Sequence, residues 1–236
     1  MIFDPLYLVV MGVGMVLSLW AQARVKGTFN KFSRVATRSR MTGAQVAQAI
    51  LDRHGIADVT IEPIRGSLTD HYDPRSKTLR LSEPVYGSNS MAAFGVAAHE
   101  VGHAIQHATN YAPLGFRSAW VPVANLGGTL SMIVLIAAAF LGGAATALGQ
   151  TASLIGVLLF GTTTVFTLIT LPVEFDASKR ALAALESGGM VSQEEHAGAK
   201  KVLDAAAMTY VAAFITSLLT LLYWVFRLGL LGGRDD

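Results

Sequence analysis

The stretch Ser118–Val173, SAWVPVANLGGTLSMIVLIAAAFLGGAATALGQTASLIGVLLFGTTTVFTLITLPV, contains no Asp, Glu, Lys or Arg. A helix needs about 20 apolar residues to cross the hydrocarbon core of a bilayer, so this stretch has room for two crossings. Gly142, Gly143, Gly149 and Gln150 mark the turn between them. Working outward, residues 5–23 and 205–226 are also free of these charges. Together the gaps predict four spans at about 5–22, 120–141, 151–171 and 206–226. Helices of soluble proteins average only about 11–12 residues, which argues against four buried core helices. The composition agrees. Charged residues make up 14% of the 236-residue chain, against about 25% in ordinary soluble domains.

The basic residues orient the spans. Of the Lys and Arg residues, twelve lie in 24–118, none in 142–150, four in 173–204 and two in the tail. The positive-inside rule therefore puts 24–118 and 173–204 in the cytoplasm. Ala21-Gln22-Ala23 resembles a signal cleavage site, but a secretory signal carries its positive charge before the apolar run. Here Asp4 precedes it and Arg24 and Lys26 follow, so a retained anchor is expected. A net charge of +2 gives no nucleic-acid footprint. The absence of cysteine excludes disulfides and thiolate metal ligands.

Between the spans the pattern is mixed. Residues 24–40 are basic and polar and are expected to run along the anionic membrane surface or to form a solvated linker. Thr42 can cap a helix that Gly55 ends. Val59 and Ile61 alternate as in a short strand. Residues 70–82 read as two extended pieces joined by the turn Asp73-Pro74-Arg75-Ser76. Ser88 or Asn89 can cap a long helix running to about Thr109. An alanine-rich helix over 176–186 ends at Gly188-Gly189, and another, from about Ser192, runs into the last span.

The long helix carries His99-Glu100-Val101-Gly102-His103, an H-E-x-x-H motif. Residues four apart share a helix face, so both imidazoles can reach one ion. Imidazole suits Zn²⁺. Glu100 projects differently and can serve as the catalytic base toward a zinc-bound water. Gly102 permits another element to pack closely. A catalytic zinc site usually has a third protein ligand. His107 is two turns from His99, about 12 Å along the axis, and so is a poor candidate. Glu174 is the better one. It lies at the end of the third span, on the same side as the motif, and a carboxylate there is costly without a partner. Asp176 is the alternative nearby.

These residues carry a resemblance. The segments Leu68–Arg75, Leu79–Ser82, His99–His107 and Pro172–Ser178 resemble the YugP-like neutral zinc metallopeptidases of bacterial membranes, similar in mechanism to the HtpX type. The resemblance implies a His₂Glu zinc site of gluzincin type, with Glu174 as third ligand and peptide-bond hydrolysis as the activity. In the HtpX type an aspartate follows four residues after that glutamate. Here Ser178 stands in its place, so the support around the histidines is expected to differ. His107, Asp176 and Ser178 are candidates for that support. His71 and Tyr72, on the 70–82 hairpin, are candidates for substrate binding or oxyanion stabilisation.

The expected fold is a mainly α membrane protein with four transmembrane helices and a small α+β zincin-like domain. Its parts are an anchor at 1–23, a cytoplasmic domain at 24–118, a transmembrane hairpin at 119–172, a cytoplasmic segment at 173–204, and a last span with tail at 205–236. One Zn²⁺, the lipid bilayer and a protein or peptide substrate are the implied partners. The expected location is the bacterial inner membrane. A non-catalytic zinc-binding partner or chaperone that keeps the motif is the alternative function. A transporter would need ionisable groups inside the spans, and the sequence has none there.

Overall fold

The computed structural model describes residues 4–229; the first three residues and the end of the expected tail, including Arg234, lie outside the described residues. Seven helices of more than three residues and one small sheet follow along the chain. They are α1 (Pro5–Phe32), α2 (Gly43–Arg53), β1 (Thr60–Ile64), β2 (His71–Asp73), β3 (Thr78–Ser82), the short α3 (Glu83–Tyr86), α4 (Met91–Ala108), α5 (Ala112–Phe140), α6 (Ala147–Ser187) and α7 (Gln193–Arg227). Four of these, α1, α5, α6 and α7, are long and apolar enough to cross a membrane.

Contacts divide the chain into two units. The first comprises residues up to Trp20, Phe116–Leu171 and those from Tyr210 on. Its helices leave large side chains uncovered, among them Val9, Met15, Leu126, Met132 and Leu158. Within this unit α5 and α6 approach closely through small residues. A Cβ on Gly127 would lie 2.1 Å from Thr162 Oγ1, and Trp120 Nε1 donates to the Thr162 carbonyl at 3.0 Å. Small residues at such contacts let two helix backbones approach closely.

The second unit comprises Ala21–Gly115 and Pro172–Thr209. Its sheet has the order β1-β3-β2, with β3 parallel to β1 and antiparallel to β2. Leu79 and Leu81 of β3 are fully buried, and so are Val46, Ile50 and Leu51 on the apolar stripe of α2. They join Phe94, Ala97, Ala98 and Val101 of α4 and Leu185 of α6 in one core. Local chemistry sets the helix starts. Thr42 and Gln45 form a capping box at α2, and Ser90 Oγ accepts from Ala93 N at α4. The cap is thus Ser90 rather than the expected Ser88 or Asn89.

Two helices extend past their expected ends. Residues 24–32, beyond the expected span at about 5–22, continue α1 as helix. Phe29 is buried in the core of the second unit and Phe32 packs against it, so the aromatics within the basic run hold the helix in place. α6 runs unbroken through Pro172 into the alanine-rich segment, ending at Ser187.

Candidate metal centre

The functional side chains come from α4 and the last turns of α6. These helices touch where α4 has no side chain: a Cβ on Gly102 would lie 2.4 Å from the Ala177 carbonyl oxygen. That contact sets Glu174 beside the H-E-x-x-H face. Glu174 Oε2 is 3.2 Å from His99 Nε2 and 3.5 Å from His103 Nε2. One donor atom from each of the three residues lies within 4.8 Å of the others. Zinc bonds of 2.0–2.1 Å in a tetrahedron separate neighbouring donors by about 3.3 Å, so the spacing suits the ion.

The far side of each imidazole is also held. Gln106 has no exposed surface and spends its amide on three partners. Its Nε2 donates to the Val173 carbonyl at 2.8 Å and to Asp176 Oδ2 at 2.9 Å. Both of these groups accept only, so Oε1 must be the atom facing His103 Nδ1 at 3.0 Å. His103 Nδ1 therefore carries a proton, and loss of the other proton leaves the Nε2 lone pair aimed at the site. Arg180 Nε pairs with Asp176 Oδ2 at 2.5 Å, stacks over Tyr111 and reaches Thr109 Oγ1. His99 Nδ1 is 3.2 Å from Ser178 Oγ.

Burial and charge oppose one another in this site. Burial would push the Glu174 carboxyl up, but hydrogen bonds and charge from His103 and His99 hold it well below the usual carboxylate range. Burial would lower His103, but Glu174 outweighs it and raises the imidazole above its ordinary value. Glu100 retains 8% exposure and makes no hydrogen bond among the described residues. Burial pushes its carboxyl up, against the pull of His99 and His103.

Of the residues expected from sequence, the structure brings together His99, His103 and Glu174, with Glu100 one step along α4. Asp176 does not join them and instead binds Gln106 and Arg180. His107 is likewise elsewhere: its Nδ1 is 2.8 Å from the Tyr72 hydroxyl. Burial, then the charges of Asp58 and Asp73, push Tyr72 up to about 12, so the hydroxyl keeps its proton at neutral pH. His71 Nδ1 lies 2.9 Å from the Thr69 carbonyl, at the edge of the sheet. Sequence reasoning missed Gln106. Its position three residues after His103 was the available signal, because that spacing puts it on the same face as the imidazole.

Two imidazoles and a carboxylate, with the Glu100 carboxyl beside them, form a group that could hold a metal ion, of the kind an H-E-x-x-H helix contributes to. Comparison with known proteins gives the family. Residues 7–229 match the family described as "Putative neutral zinc metallopeptidase", and the chain belongs to it. A relative from Bacillus subtilis (strain 168), named "Putative membrane protease YugP", is 46% identical over 220 residues, covering 93% of this chain and 94% of its own. No solved structure matches.

Proposed function

We propose that this chain is a membrane-spanning zinc metalloendopeptidase in which His99, His103 and Glu174 hold the metal and Glu100 is the catalytic base. The observation that carries the reading is convergence. Glu174 is 75 residues from His99 in sequence, yet its carboxylate closes the set the two imidazoles begin. When bound, zinc supplies a Lewis acid that polarises the scissile carbonyl and acidifies water. Glu100 takes the proton from the attacking water and delivers it to the leaving amine. The burial that raises its proton affinity suits both transfers. Gln106 and Ser178 orient the imidazoles, and Asp176 fixes Gln106.

Among the described residues strand β2 pairs only with β3, so its other edge has no strand partner and is a candidate to pair with an extended peptide. His71 and Tyr72 on that strand are candidates to bind the substrate or its developing oxyanion, with His107 holding the Tyr72 hydroxyl. The membrane arrangement proposed with this function has one span in each of α1, α5, α6 and α7. Residues 24–118 and 173–204 then face the cytoplasm and carry the active site.

The test uses full-length protein in detergent, an internally quenched peptide library and metal analysis. Glu100→Gln should keep its zinc and lose roughly 10²–10⁴-fold in cleavage rate. His103→Ala and Glu174→Ala should lose zinc. Undiminished cleavage by Glu100→Gln would overturn the mechanism, and a full complement of zinc in Glu174→Ala would remove that ligand.

A further inference from the structure

A cavity of about 520 Å³ opens between the last turns of α1 and the first half of α7, outside the metal centre. Arg24, Gly27, Thr28 and Lys31 line it from α1, and Lys201 and Asp204 from α7. The α1 residues are spaced i, i+3, i+4 and i+7, which is one face of a helix. Lower along the two helices Phe32 closes the gap, since a Cβ on Gly198 would lie 3.2 Å from its ring. At Gly27 a Cβ would meet nothing within 4 Å, so the missing side chain leaves room in the cavity. The single carboxylate does not cancel the positive charge, because Asp204 already accepts from Lys200 Nζ at 2.7 Å. Thr28 adds a hydroxyl with no hydrogen-bond partner among the described residues.

We infer that this cavity binds the phosphate of an anionic lipid headgroup. The inference rests on the membrane-spanning reading above. Arg24 is the first charged residue after the apolar run of α1, and Asp204 the last before that of α7. In a bilayer crossed by those two runs, the cavity therefore begins at headgroup depth on both helices. Arg24 to Lys31 covers about 10 Å along the axis, enough to follow a headgroup outward from the hydrocarbon boundary. Three cations and a hydroxyl around an open floor are a donor set for phosphate oxygens. Basic pockets between helices at this depth are suited to anionic headgroups.

Native mass spectrometry of the full chain from neutral detergent tests the site by titrating phosphatidylglycerol against phosphatidylcholine. The wild type should retain one phosphatidylglycerol in preference. Each cation near the membrane surface is worth about fivefold, so the double variant Lys31→Gln/Lys201→Gln should bind about thirtyfold more weakly. Gly27→Leu fills the cavity without changing charge and should abolish the preference. Equal retention of the two lipids overturns the site. Wild-type preference in Gly27→Leu also overturns it, since a diffuse basic surface would then suffice. Displacement by millimolar inorganic phosphate would make a soluble phosphate the ligand and overturn the lipid assignment. Alkaline carbonate extraction judges the membrane reading separately: release of the wild-type chain from membranes would overturn that reading whatever the spectrometer shows.

Discussion

Gln106 illustrates how much a single buried amide can determine. Two acceptors fix its orientation, its orientation fixes the proton on His103 Nδ1, and that proton leaves Nε2 to face Glu174. Gln106→Leu keeps the volume and removes the chain of bonds. Loss of such outer partners typically weakens metal binding 10–100-fold. Competition with a calibrated chelator should show that loss, and unchanged affinity would mean the imidazole is held by packing alone. Ser178→Ala should have the smaller effect, because a hydroxyl can donate or accept and so does not dictate the proton on His99. The first half of this arrangement is legible in sequence, since His99, Glu100, His103 and Gln106 are related by helical spacing. The second half is not. Val173 and Asp176 reach Gln106 only after α4 and α6 have packed, and the pairing of Tyr72 with His107 crosses 35 residues.

At the scale of elements, the packing of α4 against its neighbours turns on two glycines that look alike in sequence. A Cβ at Gly102 would sit 2.4 Å from the Ala177 carbonyl, against backbone that cannot swing aside. At Gly95 it would sit 3.5 Å from Ala199, an ordinary contact. Gly102→Ala should therefore push α4 off α6, cost about 1–3 kcal/mol and loosen the metal site. Gly95→Ala should be tolerated and gain up to about 1 kcal/mol from helix propensity. Thermal unfolding and zinc content of both variants check this, and equal behaviour would overturn the packing argument. The existence of the helices and of the β2–β3 hairpin is readable from charge gaps and turn residues. Helix ends are not. A gap in charge measures the hydrocarbon a helix crosses, whereas α1 goes on until Phe29 and Phe32 meet the core, and α6 goes on until Gly188-Gly189. Pro172 does not stop α6, because a proline forfeits one hydrogen bond while the buried Val173, Glu174 and Ala177 hold the next turns.

For the whole molecule, a metal is expected to act as a tie within the second unit, since the three proposed donors lie on α4 and α6. Binding only to the folded state, zinc at a hundred times its dissociation constant adds about 2.7 kcal/mol. A chelator should lower the melting temperature of the wild type and leave Glu174→Ala where it is. The orientation across the membrane is a separate question, and the sequence offers a direct way to ask it. The chain contains no cysteine, so a single introduced thiol has no background. Ser39, after α1, and Ala145, between α5 and α6, are both exposed, and the proposed topology assigns them to opposite sides of the bilayer. With most Lys and Arg in 24–118 and 173–204, the proposed orientation puts Ser39 in the cytoplasm and Ala145 outside. In intact cells an impermeant maleimide should label Ala145→Cys and spare Ser39→Cys until the membrane is broken. The reverse pattern would turn the active site outward and direct it to a different pool of substrates. Labelling of both before lysis would contradict the four-span arrangement itself.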